Sequence, residues 1–180
     1  MSRIGNAPIV LPNGVEILVD ANNIVTVKGP LGQLQKQLDK QIEVKIEGNT
    51  VHVVRHSEAK EIKSKHGLYR ALIMNMVIGV TKGYKKSLVI NGVGYKAAVA
   101  GDKLTLNVGF SHPVEFTAIH GIKLEIPKTN QIDVSGIDKE LVGQFASNIR
   151  DIKPVEPYHA YGVRYLDEVV VRKEGKTAKK

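Results

Sequence analysis

No cysteine and no tryptophan occur among the 180 residues, and aromatic side chains make up 5% of them. Without thiols, disulfides, zinc ribbons, iron–sulfur clusters and cysteine nucleophiles are all excluded, and the chain fits a reducing, cytosolic compartment. The scarcity of rings argues against an aromatic-lined pocket for a small molecule. No apolar run approaches the roughly 20 residues that a membrane span needs, and MSRIGNAPIV lacks the cationic start and long apolar stretch of a secretory segment. What is present is an ordinary globular mixture, 42% apolar and 24% charged, rich enough in Leu, Ile and Val to set intrinsic disorder aside.

Charge is in excess but unevenly spread. The formal net charge is +8, from 26 Lys and Arg against 18 Asp and Glu. Ser87 to Val171 holds 8 basic and 10 acidic residues, a balance of 8 − 10 = −2. The surplus therefore sits elsewhere: Glu58 to Lys86 has seven basic against two acidic residues, and Arg172 to Lys180 has five against one. Near-neutral bodies with local basic segments suit a protein that meets a polyanion at selected places. A solvated tail that serves solubility is the plain alternative.

The strongest pattern along the chain is a repeat. Alternating segments around Thr26 and Thr105 read as strands, as do Ile42–Ile46 against Ile122–Ile126 and Val51–Val53 against Ile132–Val134. Each set precedes a helical stripe, Ile62, His66, Tyr69, Ile73 and Met76 in the first half and Val142, Phe145, Ile149 and Ile152 in the second. Matched positions are offset by 79, 80 and 81 residues through the strands and by 76 in the helices, so loops differ while elements persist. Hairpin turns are expected at Asn49-Thr50 and Asn130-Gln131, and helix N-caps at Ser57 and Asp138. The pattern predicts an α+β fold of two tandem duplicated domains, each an antiparallel sheet packed against one helix. The expected boundaries are residues 1–81, residues 82–171 and a basic C-terminal tail, residues 172–180. On the stripes, His66 reads as a hydrogen-bonded core histidine, and Met74 and Met76 read as packing residues.

Catalytic chemistry finds little support. Gly92-Val93-Gly94-Tyr95-Lys96-Ala97 fits a dinucleotide fingerprint, but Gly101-Asp102 leaves no room for the helix that would hold a pyrophosphate, and the alternation of Tyr95, Ala97 and Val99 predicts a strand instead. His52 and His56 fall in a strand and the loop after it, not on one helix face, and no metal-ligand set emerges. No nucleophile elbow is present, and Asp167-Glu168 would point to opposite faces of an extended chain. No enzyme, cofactor or metal is expected, and a vestigial enzyme ranks last among the readings.

One segment is not explained by the fold. Lys153 to Tyr165 combines two prolines, three tyrosines, a histidine and two cations. Prolines favour an extended path, and interleaved rings and cations suit irregular RNA; a Pro-stiffened loop covering a sheet edge is the structural alternative. In a regular extended stretch His159, Tyr161 and Val163 would share one side, with Tyr158 and Arg164 on the other. Arg164 would contact phosphate or a base edge, and Tyr158, His159 and Tyr161 would pack on riboses or bases around it.

SRIGNAPI near the N-terminus, VKGPLG at Val27–Gly32, INGVGYKA at Ile90–Ala97, VGFSHPV at Val108–Val114 and EPYHAYGVRY at Glu156–Tyr165 stand in that order. Together with the duplication they make the chain resemble the bacterial-type large-subunit ribosomal protein six family over almost its whole length. The resemblance implies two α+β domains and a non-catalytic role in translation within the cytoplasmic ribosome. It implies binding to large-subunit rRNA, with neighbouring ribosomal proteins near the stalk base and translation factors in proximity, no membrane, and the C-terminal domain as main anchor. The expected RNA-binding residues are Lys153, Tyr158, His159, Tyr161, Gly162, Arg164 and Tyr165, with Arg172, Lys173, Lys176, Lys179 and Lys180 in the tail. Where the family usually shows Tyr-Lys-Gly-Lys-Gly, this chain has His159 and Tyr161 in place of two cations. The competing reading is a protein–protein module whose basic tail meets an acidic partner.

Overall fold

A computed structural model describes residues 3–176; the expected contacts of Lys179 and Lys180 lie outside the described residues. The chain forms two compact units. The first runs through Tyr84 and takes in Ile137–Lys139, and the second comprises Lys85–Gly136 and the chain from Glu140 on.

The first unit contains β1 (Ile9–Val10), β2 (Glu16–Val19), β3 (Ile24–Gly29), β4 (Gly32–Gln37), β5 (Ile42–Glu47), β6 (Thr50–Arg55) and α1 (Lys60–Lys82). Alternation in β3, β5 and β6 buries Val25, Val27, Ile42, Val44, Val51 and Val53, as a period of two requires. Two antiparallel sheets result, ordered β2-β3-β4 and β1-β6-β5, and α1 packs against strands of both. The predicted stripe is the buried face of α1: Ile62, His66, Ile73 and Met76 join Val77 and Val80 in one core with Ile9, Ile17 and Leu38. His66 is a core histidine, as the stripe suggested. Its Nε2 lies 2.8 Å from the Val53 carbonyl and its Nδ1 lies 3.1 Å from Arg55 Nη1. A carbonyl only accepts and a guanidinium only donates, so the proton is on Nε2. The VKGPLG motif is the β3–β4 turn, docked on the last turns of α1 by the Leu31 N–H donating to the Val80 carbonyl at 3.0 Å.

The second unit contains β7 (Tyr84–Asn91), β8 (Lys96–Ala100), β9 (Lys103–Asn107), β10 (Val114–Thr117), β11 (Ile122–Lys128), β12 (Gln131–Gly136), α2 (Lys139–Ile152) and β13 (Gly162–Tyr165). Its sheets are ordered β10-β9-β8 and β11-β12-β7-β13. The pairing of β11 with β12 shifts register between Glu125 and Lys128, where Pro127 has no N–H to give the ladder. Val142, Phe145, Ala146 and Ile149 form the buried face of α2, with Phe145 edge-on to Phe116 at 6.1 Å.

The α+β class and the tandem duplication stand, with three corrections. Each unit holds two sheets rather than one; in the first, short or weakly apolar strands such as β1 and β4 carry little periodic signal. The hairpin turns lie one residue earlier, between Glu47 and Thr50 and between Lys128 and Gln131. The N-cap of α1 is Ala59 without a side-chain cap, while Ser57 Oγ accepts from the Ala59 N–H at 3.2 Å. The first compact unit runs through Tyr84, and α1 ends at Lys82 with Gly83 as its C-cap.

Candidate nucleic-acid interface

Three loops far apart in sequence meet in the second unit. β13 pairs antiparallel with β7, placing Gly162 opposite Asn91 and Arg164 opposite Val89. Beyond that ladder the Asn91 side-chain amide donates to the Ala160 carbonyl at 2.9 Å, joining INGVGYKA to EPYHAYGVRY. Between β7 and β8, where a dinucleotide site would need a helix, the chain makes a turn and enters a strand. The Tyr95 ring there fills the space that a side chain at Gly92 or Gly109 would need, tying the β7–β8 turn to the β9–β10 loop. Phe110 in that loop carries Lys153 Nζ over its ring, 5.1 Å from the centroid.

Within this frame the segment after α2 is not extended. Pro157–His159 form a turn, closed by the Glu156 N–H donating to the Tyr161 carbonyl at 3.0 Å. The Glu156 carboxylate accepts from the N–H of Tyr158 at 3.3 Å, the N–H of His159 at 2.8 Å and His159 Nδ1 at 3.1 Å. Partial burial pushes this carboxyl upward, but those donors outweigh it and hold its pKa below the usual range. His159 and Tyr161 do share a side: their rings stack with centroids 5.4 Å apart at 21°. Val163 leaves that side and is fully buried, because Gly162 turns the chain into β13. Tyr158 and Tyr161 are exposed, and the His159 side chain is 71% exposed.

Other expected site residues have structural work. Gly162 is buried at φ +139, and a Cβ there would stand 2.7 Å from the Lys153 carbonyl oxygen and 2.8 Å from that of Pro154. Arg164 Nη1 donates to the Glu168 carbonyl at 2.9 Å, clamping the turn after β13. Tyr165 lies between Lys86 Nζ, 5.4 Å from its ring centroid, and the Arg150 guanidinium, 5.6 Å away. Arg150 in turn holds Glu168 through two bonds of 2.7 and 3.0 Å, the strong fork geometry for a carboxylate. That pairing, against burial, keeps the Glu168 carboxyl below its ordinary pKa. In the tail, Arg172, Lys173 and Lys176 are exposed, and the Lys173 N–H donates to the Pro157 carbonyl at 2.9 Å. The start of the basic tail is thus fastened to the ring-bearing turn.

Sequence reasoning missed Glu156, Asn91, Tyr95, Phe110 and Lys86 as parts of this surface. Asn91 and Tyr95 stand in INGVGYKA, Phe110 in VGFSHPV and Glu156 in EPYHAYGVRY, the motifs that carry the family resemblance, while Lys86 lies outside all of them. Among the described residues no group of three or more His, Asp or Glu is placed to hold a metal, and no helix is long and apolar enough to cross a membrane.

The family model described as ribosomal protein L6 matches residues 11–83 and again 91–166, one match for each half of the duplication. Large ribosomal subunit protein uL6 of Enterococcus faecalis is 55% identical over 179 residues, covering 99% of this chain and 100% of the relative. The protein of the same name from Alkaliphilus metalliredigens is 56% identical over the same shares. That from Clostridium kluyveri is 52% identical over 180 residues, the full length of both. With both halves matched and relatives aligned end to end, the chain belongs to the ribosomal protein L6 family.

Proposed function

We propose that this chain is a non-catalytic constituent of the large ribosomal subunit in the cytoplasm, binding large-subunit rRNA mainly through the second unit. The observation that carries this reading is the meeting of three loops in the second unit, one of which presents an exposed ring pair, with the basic tail fastened to that loop by the Lys173–Pro157 bond. The names of its relatives support the assembly, and the motif resemblance supports a place near the stalk base, beside other ribosomal proteins and within reach of translation factors. Lys153, Arg172, Lys173 and Lys176, joined by Lys179 and Lys180, supply cations for phosphates. Tyr158, His159 and Tyr161 supply faces for bases or riboses. Gly162, Arg164 and Tyr165 chiefly build the frame that holds them, and Arg164 adds positive charge at its edge.

The test is binding of the full chain to protein-free large-subunit rRNA across a salt series. Roughly five phosphate contacts give a slope of log K against log salt of about −3.5 to −4.5. Equal binding to the rRNA and to an acidic polypeptide would favour the protein–protein reading instead.

A further inference from the structure

We propose that His159 and Tyr161 form a platform for one unpaired RNA base, with Glu156 as the positioning residue. The inference rests on the RNA-binding reading above and names the kind of nucleotide the turn takes. Two stacked rings can extend a column of bases only through an outer face, and the exposure of His159 leaves its outer face open. Bases inside a duplex have both faces covered by their neighbours, so the partner is a base in a single strand, bulge or loop. Lysines at positions 159 and 161 would bring charge without a planar face, so the ring pair changes what the turn recognises.

The platform is set before RNA arrives. Glu156 accepts from two backbone N–H groups and from the His159 ring, which fixes both the turn and the orientation of the imidazole. The Glu156–Tyr161 backbone bond and the Asn91–Ala160 bond hold the other side of the turn. Little ordering is left to occur on binding, and preorganisation of this kind raises affinity. The fastened tail places Arg172 and Lys173 by the same turn, where they can meet the phosphates that flank the stacked base.

The test uses the full chain and two probes at one salt concentration: a single-stranded oligoadenylate carrying 2-aminopurine, and a fully paired RNA duplex of equal length. Single-strand binding should quench 2-aminopurine fluorescence and shift the His159 ring protons upfield. His159→Ala should weaken single-strand binding roughly 5- to 150-fold, the loss expected of one stacked base, with no change in duplex binding. His159→Phe should retain the quenching, since it keeps the ring. His159→Lys should lose the quenching while steepening the salt slope. Glu156→Ala should weaken single-strand binding at an unchanged salt slope. If the chain binds large-subunit rRNA with a steep salt slope but His159→Ala matches the parent on both probes, the platform is overturned and the RNA-binding role stands. Equal loss on both probes also overturns it. Failure of the parent chain to bind either probe or the rRNA removes both readings.

Discussion

Replacing Gly162 with alanine separates a framing residue from an RNA contact. At φ +139 an L-residue is strained, which costs on the order of 1–3 kcal/mol. The added Cβ would also sit 2.7 to 2.8 Å from the Lys153 and Pro154 carbonyl oxygens and the Val155 Cα. These are backbone atoms that cannot rotate aside, so the segment 153–155 must retreat by several tenths of an ångström. That movement stretches the bond from the Val163 N–H to the Lys153 carbonyl, now 2.8 Å, and loosens the parallel bridge between Pro154 and Val163. One lost backbone hydrogen bond is worth about 1 kcal/mol, and with the strain the total is about 2–4 kcal/mol. For a domain of this size each kcal/mol lowers Tm by about 4–8 °C, so melting of the second unit should fall by at least about 8 °C, followed by far-ultraviolet circular dichroism. RNA binding should weaken along with it, because the same segment carries Lys153 and leads into the turn. A variant with the parental Tm and diminished rRNA affinity would refute this reasoning and make Gly162 a direct contact.

Gly5→Ala should destabilise the first unit by about 2–4 kcal/mol in urea titration, since its Cβ would overlap the His66 ring and the ring is held by two hydrogen bonds in a packed core. The carboxyls of Asp133 and Glu168 have depressed folded-state pKa values; burial alone would raise Asp133, but Lys85, Gln131 and Ser87 outweigh it. Their stabilising contribution is therefore complete above the ordinary carboxylate pKa of about 4 and is lost as pH falls below it. Glu58, brought to about 2 by Arg55 and then Lys63, gives the first unit the same sign of dependence, and Glu168→Gln should flatten the acid limb of the stability curve of the second. Substituting Lys173 and Lys176 with alanine should reduce the rRNA salt slope by up to about one unit for each phosphate left without its cation; an unchanged slope would mean that the tail is only solvated.

The duplication was legible because its carriers are long periodic elements: the α1 and α2 stripes and the alternating β5, β6, β11 and β12 need no tertiary context to show their period. β1, with two residues, and β4, with Leu34 its single aliphatic side chain, offer almost no pattern, which hides the division of the first unit into two sheets. The rejection of a nucleotide fold at Gly92–Ala97 followed from the space available before Gly101, a purely local argument. The geometry of the site was harder to read. His159 and Tyr161 share a side as the spacing of an extended chain would place them, but what brings their rings together is a turn that depends on the Glu156 carboxylate accepting three donors, which no periodicity reports. The frame roles of Gly162, Arg164 and Tyr165 depend on Lys153, Glu168, Lys86 and Arg150, partners brought close only by the fold.

The central claim is tested most directly by sedimentation of the tagged chain from a cell extract. The account predicts that it travels with large ribosomal subunits through a sucrose gradient and moves to the top after RNase treatment. A chain that stays at the top before treatment, or keeps a heavy position after the RNA is destroyed, would contradict it.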